Sequence, residues 1–137
     1  MSTPRAFISF DFDHNQGEKL YFVGQSKNSR TPFSIQDWSA KSAMPQSQWE
    51  KIVEEKIKKC NMVIVLVGRH MASAVGVNKE IQMANRNNIP VFGVYVDNAN
   101  YLSTLPSGLP RTRVINWEWI KITDKIDEMM KQGKNKG

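Results

Sequence analysis

Three apolar runs constrain this chain more than any other feature: AFISF (Ala6 to Phe10), MVIVLVG (Met62 to Gly68) and VFGVYV (Val91 to Val96). Each is rich in Val, Ile or Phe and lacks the alternation of a half-exposed strand, so each reads as a strand covered on both faces. Such strands belong to parallel sheets, whose crossover connections lay helices over both sides. Weaker strand signals at PFSIQDW (Pro32 to Trp38) and RVI (Arg113 to Ile115) bring the number of expected strands to five.

Helical periodicity fills the intervals. At Ser47 to Glu50 the S-Q-W-E sequence offers a capping box, and Trp49, Ile52, Val53, Ile57 and Cys60 then recur at three- and four-residue steps. A second helix is expected from about Ala74 to Asn87, with Val77, Ile81 and Ala84 inward and Asn87, Asn88 and Pro90 ending it. Another, from about Trp117 to Met130, turns Trp119, Ile122, Ile126 and Met129 or Met130 inward. A shorter helix is expected within Asn15 to Lys27, with Leu20, Tyr21 and Val23 as candidates for its inner face. Strands and helices alternating in this way predict a single α/β domain, flavodoxin-like, with five parallel strands in the order 2-1-3-4-5 and helices on both faces. Asp97 to Arg113, punctuated by Pro106, Gly108 and Pro110, reads as a long loop. The domain is expected to span residues 1–131, with 132–137 as a basic flexible tail.

A chain of 137 residues buries roughly two-thirds of its unfolded surface and folds without disulfide or metal. Its one cysteine, Cys60, falls on an apolar helix stripe and reads as a small core residue in a reducing compartment. No run approaches the ~20 apolar residues of a membrane helix, and no leader pattern opens the sequence, so a cytoplasmic protein with no membrane partner is expected. The net charge of +6 includes Lys131, Lys134 and Lys136 in the closing KQGKNKG, and the other basic residues are interspersed with acids. Without a basic stripe carrying aromatics, nucleic acid is not the expected partner.

Open parallel sheets bind ligands beyond the carboxyl ends of their strands, where the strand order reverses. That rule selects Ser9, Phe10, Asp11 and Asp13 after strand one, Asp37, Trp38 and Ser39 after strand two, and Arg69 and His70 after strand three. The first of these loops, DFDHNQG, has neither G-x-G-x-x-G for a dinucleotide nor a Ser/Thr/Gly-rich cradle for a flavin phosphate. Strand three ends in LVGRH, without the aspartate of a phospho-acceptor domain. Asp11, Asp13 and His14 could ligate a hard cation, yet no third ligand has clear spacing and no metal is expected. A Cys60–His70 nucleophile is set aside because Cys60 belongs at the amino ends of the strands.

FISFDFDHN, FSIQDWS, CNMVIVLVG and GVNKEI, in that order from about Arg5 to Trp119, resemble the TIR-like family of Thoeris antiphage defence systems. The resemblance implies cleavage of NAD, as substrate rather than cofactor, at the nicotinamide glycosidic bond. Its implied product is a cyclic ADP-ribose type messenger that activates a partner effector, with self-association of the enzyme. It assigns Glu80 as the catalytic carboxylate and Phe7, Ser9, Phe10 and Asp11 as the first-strand rim of the nucleotide pocket, with Asp37 and Trp38 after strand two. Arg69 and Lys79 become candidates for the pyrophosphate, and Ser73 for substrate contact. Many family members carry a tryptophan four residues before the glutamate and a serine two earlier; here those positions are Gly76 and Ala74. Nicotinamide leaves a cationic glycoside without needing a proton, so one glutamate that holds the ribose and stabilises the developing cation suffices, unlike the paired acids of ordinary glycosidases. The competing reading is a signalling or scaffold module that binds protein or nucleotide without turnover.

Overall fold

In the computed structural model of the protein, the described residues are 4–11, 17–19, 22, 34–38, 45–71 and 74–136, with 34–38 and Gln46 described by backbone alone. Five strands, β1 (Arg5–Ser9), β2 (Ser34–Trp38), β3 (Met62–Val67), β4 (Val91–Tyr95) and β5 (Val114–Ile115), form one sheet in the order β2-β1-β3-β4-β5. Every pairing is parallel. The doubly wound α/β architecture expected from the apolar runs is the one observed. Between Ala6 and Phe7 the β1–β2 register shifts, so that Phe7 lies opposite Asp37 and Ile8 opposite Trp38.

Three longer helices are α1 (Gln46–Lys58), α2 (Val75–Arg86) and α3 (Trp119–Met129). They divide the core into two clusters, because successive strand residues face opposite sides of the sheet. Phe7, Val63, Val65 and Val67 pack with Val53, Ile57 and Cys60 of the α1 region and Val77, Ile81 and Ala84 of α2. Ala6, Ile8, Ile64, Leu66, Phe92 and Val94 pack on the other side with Ile122, Ile126 and Met129 of α3. Gly17, Glu18, Lys19 and Phe22 are helical, and the fully buried Phe22 also joins this second cluster. Its ring centroid lies 5.6 Å from both Trp117 and Trp119. The expected inner-face candidates Leu20, Tyr21 and Val23 lie outside the described residues.

The helix ends depart from expectation in one place. Pro45, not Ser47, is the N-cap of α1, and no side chain caps it. Pro45 O instead accepts from the amides of Gln48 and Trp49, and Glu50 pairs through Oε1 with Lys79 Nζ at 2.8 Å. The capping-box glutamate is thus diverted to tie α1 to α2. At the other end of α2, Asn88 adopts φ 57°, the Ile89 amide donates to Ala84 O, and the Asn88 amide donates to Asn85 O. This is a Schellman stop with asparagine in the left-handed position.

Within the segment 132–137, expected as a basic flexible tail, residues 133–135 contact the fold. Gly133 turns at φ 56° against Asn88, and the Lys134 amide donates to Asn88 O at 2.7 Å. Asn135 exchanges hydrogen bonds with Asn61, donating to its backbone oxygen and accepting from its side-chain amide. The polar composition that suggested a loose end supplies these contacts instead.

A second tie between α1 and α2 is Glu54, which accepts from Arg86 Nε and Asn87 Nδ2, both at 2.7 Å. The Arg86 guanidinium first, and the Asn87 amide second, hold the Glu54 carboxyl at about 2 instead of the usual 4.5. A depressed carboxyl contributes stability that is complete above 4.5 and is lost as pH falls toward 2. The gap in urea midpoint between wild type and Glu54→Gln should therefore be widest above that window and close through it on acidification. In β4, a Cβ at Gly93 would stand 2.9 Å from Val67 Cγ2 and 3.1 Å from Leu109 Cδ2. Gly93→Ala should cost about 1–3 kcal/mol by overpacking, read as a lowered midpoint with unchanged slope in urea.

Candidate functional site

Four polar or charged side chains are buried among the described residues: Ser9 and Glu80 at 0% exposure, Asp11 at 6% and Lys19 at 7%. They come from the carboxyl end of β1, the helical turn that follows it, and α2. Burial of such groups costs free energy unless they find partners, so their gathering at one end of one strand marks the site.

Its centre is a hydrogen bond between rigid elements. Ser9, the last residue of β1, lies opposite Val65 of β3, and strand period turns it to the same side as Phe7. From that side its Oγ donates to Glu80 Oε1 at 2.6 Å. Glu80 sits in the middle of α2 on the inward face shared with Val77, Ile81 and Ala84. A surface glutamate helped by the helix dipole is ruled out by its complete burial.

The first-strand residues expected to form one rim divide between the two sides of the sheet. Phe7 and Ser9 face α2, and Phe7 is wholly within the core. Phe10 belongs to the opposite cluster, only 2% exposed, with the Lys19 ammonium 5.7 Å from its ring centroid. Phe10 and Glu80 therefore lie on different faces, the direct result of an odd spacing from Ser9. Asp11 is buried at the exit of β1. Asp37 and Trp38 end β2 beside this strand, opposite Phe7 and Ile8. Ser73, Asp13 and His14 lie outside the described residues.

Arg69 follows β3 at the same end of the sheet, its side chain 59% exposed and bridged to Asp97 at 3.2 Å. Asp97, in the left-handed region at φ 53°, begins the loop after β4. Lys79 is occupied by Glu50 of α1. No group of three or more His, Cys, Asp or Glu residues suited to a metal occurs among the described residues.

Two contributors escaped sequence reasoning. Lys19 is one: a lone lysine beside the apolar Leu20, Tyr21 and Phe22 was the available sign that its stem would be covered. Trp49 is the other. Its Cη2 atom stands 3.9 Å from where a Cβ would project at Gly76, one helical turn before Glu80. The position that lacks an aromatic on α2 is thus flanked by an indole from α1, a juxtaposition across 27 residues of chain that no local pattern displays.

The strand order, the crossover helices and a buried carboxylate beside the end of β1 define a flavodoxin-like domain of TIR type. Residues 7–101 match the family model described as Thoeris protein ThsB, TIR-like domain, and the chain belongs to that family. It is a TIR-like protein of antiphage defence. Among solved structures, a prokaryotic SEFIR domain is similar at 15% identity and TM-score 0.51, over 92% of this chain and 89% of that one. The CMP N-glycosidase BcmB of Clostridium botulinum is similar at 16% identity and TM-score 0.48, over 90% of this chain and 98% of that one. Comparison with curated proteins finds no match. No helix among the described residues is long and apolar enough to cross a membrane.

The buried pair carries a stability signature. Ser9→Ala alone should destabilise by about 1–3 kcal/mol, because it strips a donor from a buried carboxylate. The double change Ser9→Ala with Glu80→Met, which replaces both partners by apolar groups, should recover most of that loss in chemical denaturation.

Proposed function

We propose that this protein cleaves NAD at the nicotinamide glycosidic bond, with Glu80 as the catalytic carboxylate. The observation that carries the proposal is the position of Glu80. In a member of the ThsB TIR-like family, the glutamate at the motif position is fully buried and hydrogen-bonded by Ser9 at the carboxyl end of β1.

The reaction asks little acid catalysis of the protein, since nicotinamide departs as a neutral molecule from a cationic glycoside. What must be supplied is orientation of the ribose and negative charge beside its anomeric carbon. Glu80 supplies both: its carboxylate accepts from ribose hydroxyls and faces the growing oxocarbenium charge. In an apolar surround of Val77, Ile81 and Phe7 that attraction is less screened than in water. Asp11 with Asp37 and Trp38 borders the nucleotide, Trp49 provides the aromatic flank that Gly76 lacks, and Arg69 meets the pyrophosphate. Capture of the ribosyl cation by a nucleophile within the same nucleotide yields a cyclic ADP-ribose type messenger; capture by water yields the linear product. The messenger acts on a separate effector in the cytoplasm, and self-association of the TIR-like domain opens and completes the pocket.

Complete burial of Glu80 favours one competing reading, a domain that associates without turnover. The two are separated by incubating wild type and Glu80→Gln with NAD at high protein concentration and resolving nicotinamide by chromatography. Release by wild type, reduced at least about 100-fold in Glu80→Gln, is expected. Equal release by the two proteins would overturn the catalytic assignment, and intact NAD in both would favour the non-catalytic domain.

A further inference from the structure

We propose that Ser9 is a positioning residue for Glu80: its hydroxyl fixes the rotamer of the carboxylate and favours its charged form, and does not itself contact substrate. The proposal deepens the NAD-cleaving reading in its kinetic consequence, while its structural content stands on the observed geometry.

Both ends of the bond are anchored. Ser9 is paired with Val65 of β3, and Ile8 just before it is held by β2 on one edge and β3 on the other, which fixes the Cα of Ser9. Glu80 is held by a helix stopped by the Schellman turn at Asn88 and tied to α1 through Lys79–Glu50 and Arg86–Glu54. A glutamate side chain has three rotatable torsions, and a single short bond to a fixed donor removes most of that freedom. The 2.6 Å Oγ to Oε1 distance lies in the range of hydroxyl bonds to an ionised acceptor. Bonding to one oxygen leaves a carboxylate, with its roughly four lone-pair directions, the capacity to accept from ribose as well.

The single O–H donor of Ser9 is spent on Glu80 Oε1, which leaves it none to offer a substrate. Among the described residues, the charged groups of the elements that meet at the pair are Asp11, just beyond β1, Lys79, beside Glu80 on α2, and Glu50 of α1, which pairs with Lys79; Lys19 lies over Phe10 on the other side of the sheet. All remain in Ser9→Ala, so a change in Glu80 titration between the two proteins reports the lost hydroxyl.

Two measurements test the proposal. In protein carrying glutamate labelled with carbon-13 at the side-chain carboxyl, with Glu80→Gln used to assign the resonance, Ser9→Ala should move the Glu80 midpoint to higher pH. Ser9→Thr, which keeps the hydroxyl, should restore it, because bonding to the charged form is what lowers a carboxyl midpoint. An unchanged midpoint in Ser9→Ala would overturn the proposal. In nicotinamide release, Ser9→Ala should lower kcat by about 10- to 100-fold through misorientation while KM stays within about threefold, with Ser9→Thr recovering kcat. A rise in KM at constant kcat would instead make Ser9 a substrate-binding residue. If wild type releases no nicotinamide, the NAD reading fails and the titration alone decides the role of Ser9. If Glu80→Gln is inactive and Ser9→Ala is fully active with an unshifted midpoint, the NAD reading stands and the positioning role falls.

Discussion

β1 is hydrogen-bonded along both edges and covered on both faces, and the site inherits its geometry from that confinement. A strand so held presents each successive side chain to a predetermined side of the sheet. Ser9 is committed to the α2 face and Phe10 to the α3 face. The polar end of the strand is consequently a divided structure: one half joins Glu80, and the other places Phe10 beneath Lys19 with Phe22 close by in the second core cluster. A one-residue slip in register would exchange these roles and put phenylalanine against the glutamate. The length and apolarity of the three central strands, which make slippage costly, are therefore conditions for the chemistry as well as for folding.

Placing a carboxylate in such a core opposes stability. Burying one in an apolar region is tolerated when hydrogen bonds replace part of its lost hydration. The Ser9 hydroxyl does this for Oε1, at the price of a polar atom on a strand whose other buried residues are Ala6, Phe7 and Ile8. The same dry surroundings that make the group costly increase its pull on a cation formed nearby. A fold optimised only for packing would have an aliphatic side chain at position 80, as it has at Val77, Ile81 and Ala84 on the same helical face.

α1 takes part in this arrangement although none of its residues belongs to the four motifs that carry the family resemblance. Glu50 and Glu54 fasten it to α2 through Lys79 and Arg86, and these two ties bracket the helical turn that carries Glu80. Trp49, one residue before Glu50, arrives beside Gly76. A small residue on one helix and an indole on its neighbour form a complementary pair: what looks in sequence like the loss of an aromatic is a surface supplied from another element. Glu50 shows how tertiary contacts redirect a local signal. Its spacing from Ser47 suggested a cap, but a lysine on the adjacent helix claims the carboxylate.

By itself the sequence determined the class of fold. Unbroken apolar runs of strand length, separated by helical periodicity, admit few arrangements other than a parallel sheet covered on both sides, and Asn87, Asn88 and Pro90 announced where α2 stops. The motif order also pointed to Glu80, through the family that those motifs resemble. Only the tertiary structure decided how the candidates are distributed: Ser9 with Glu80 across 71 residues, Phe10 on the far face, Trp49 beside Gly76, Lys19 under cover and residues 133–135 against Asn61 and Asn88. The physical reason is range. Periodicity and capping act over a few residues of chain, whereas the partner of a buried polar group is chosen by whichever donor or acceptor the packed sheet and helices bring within about 3 Å.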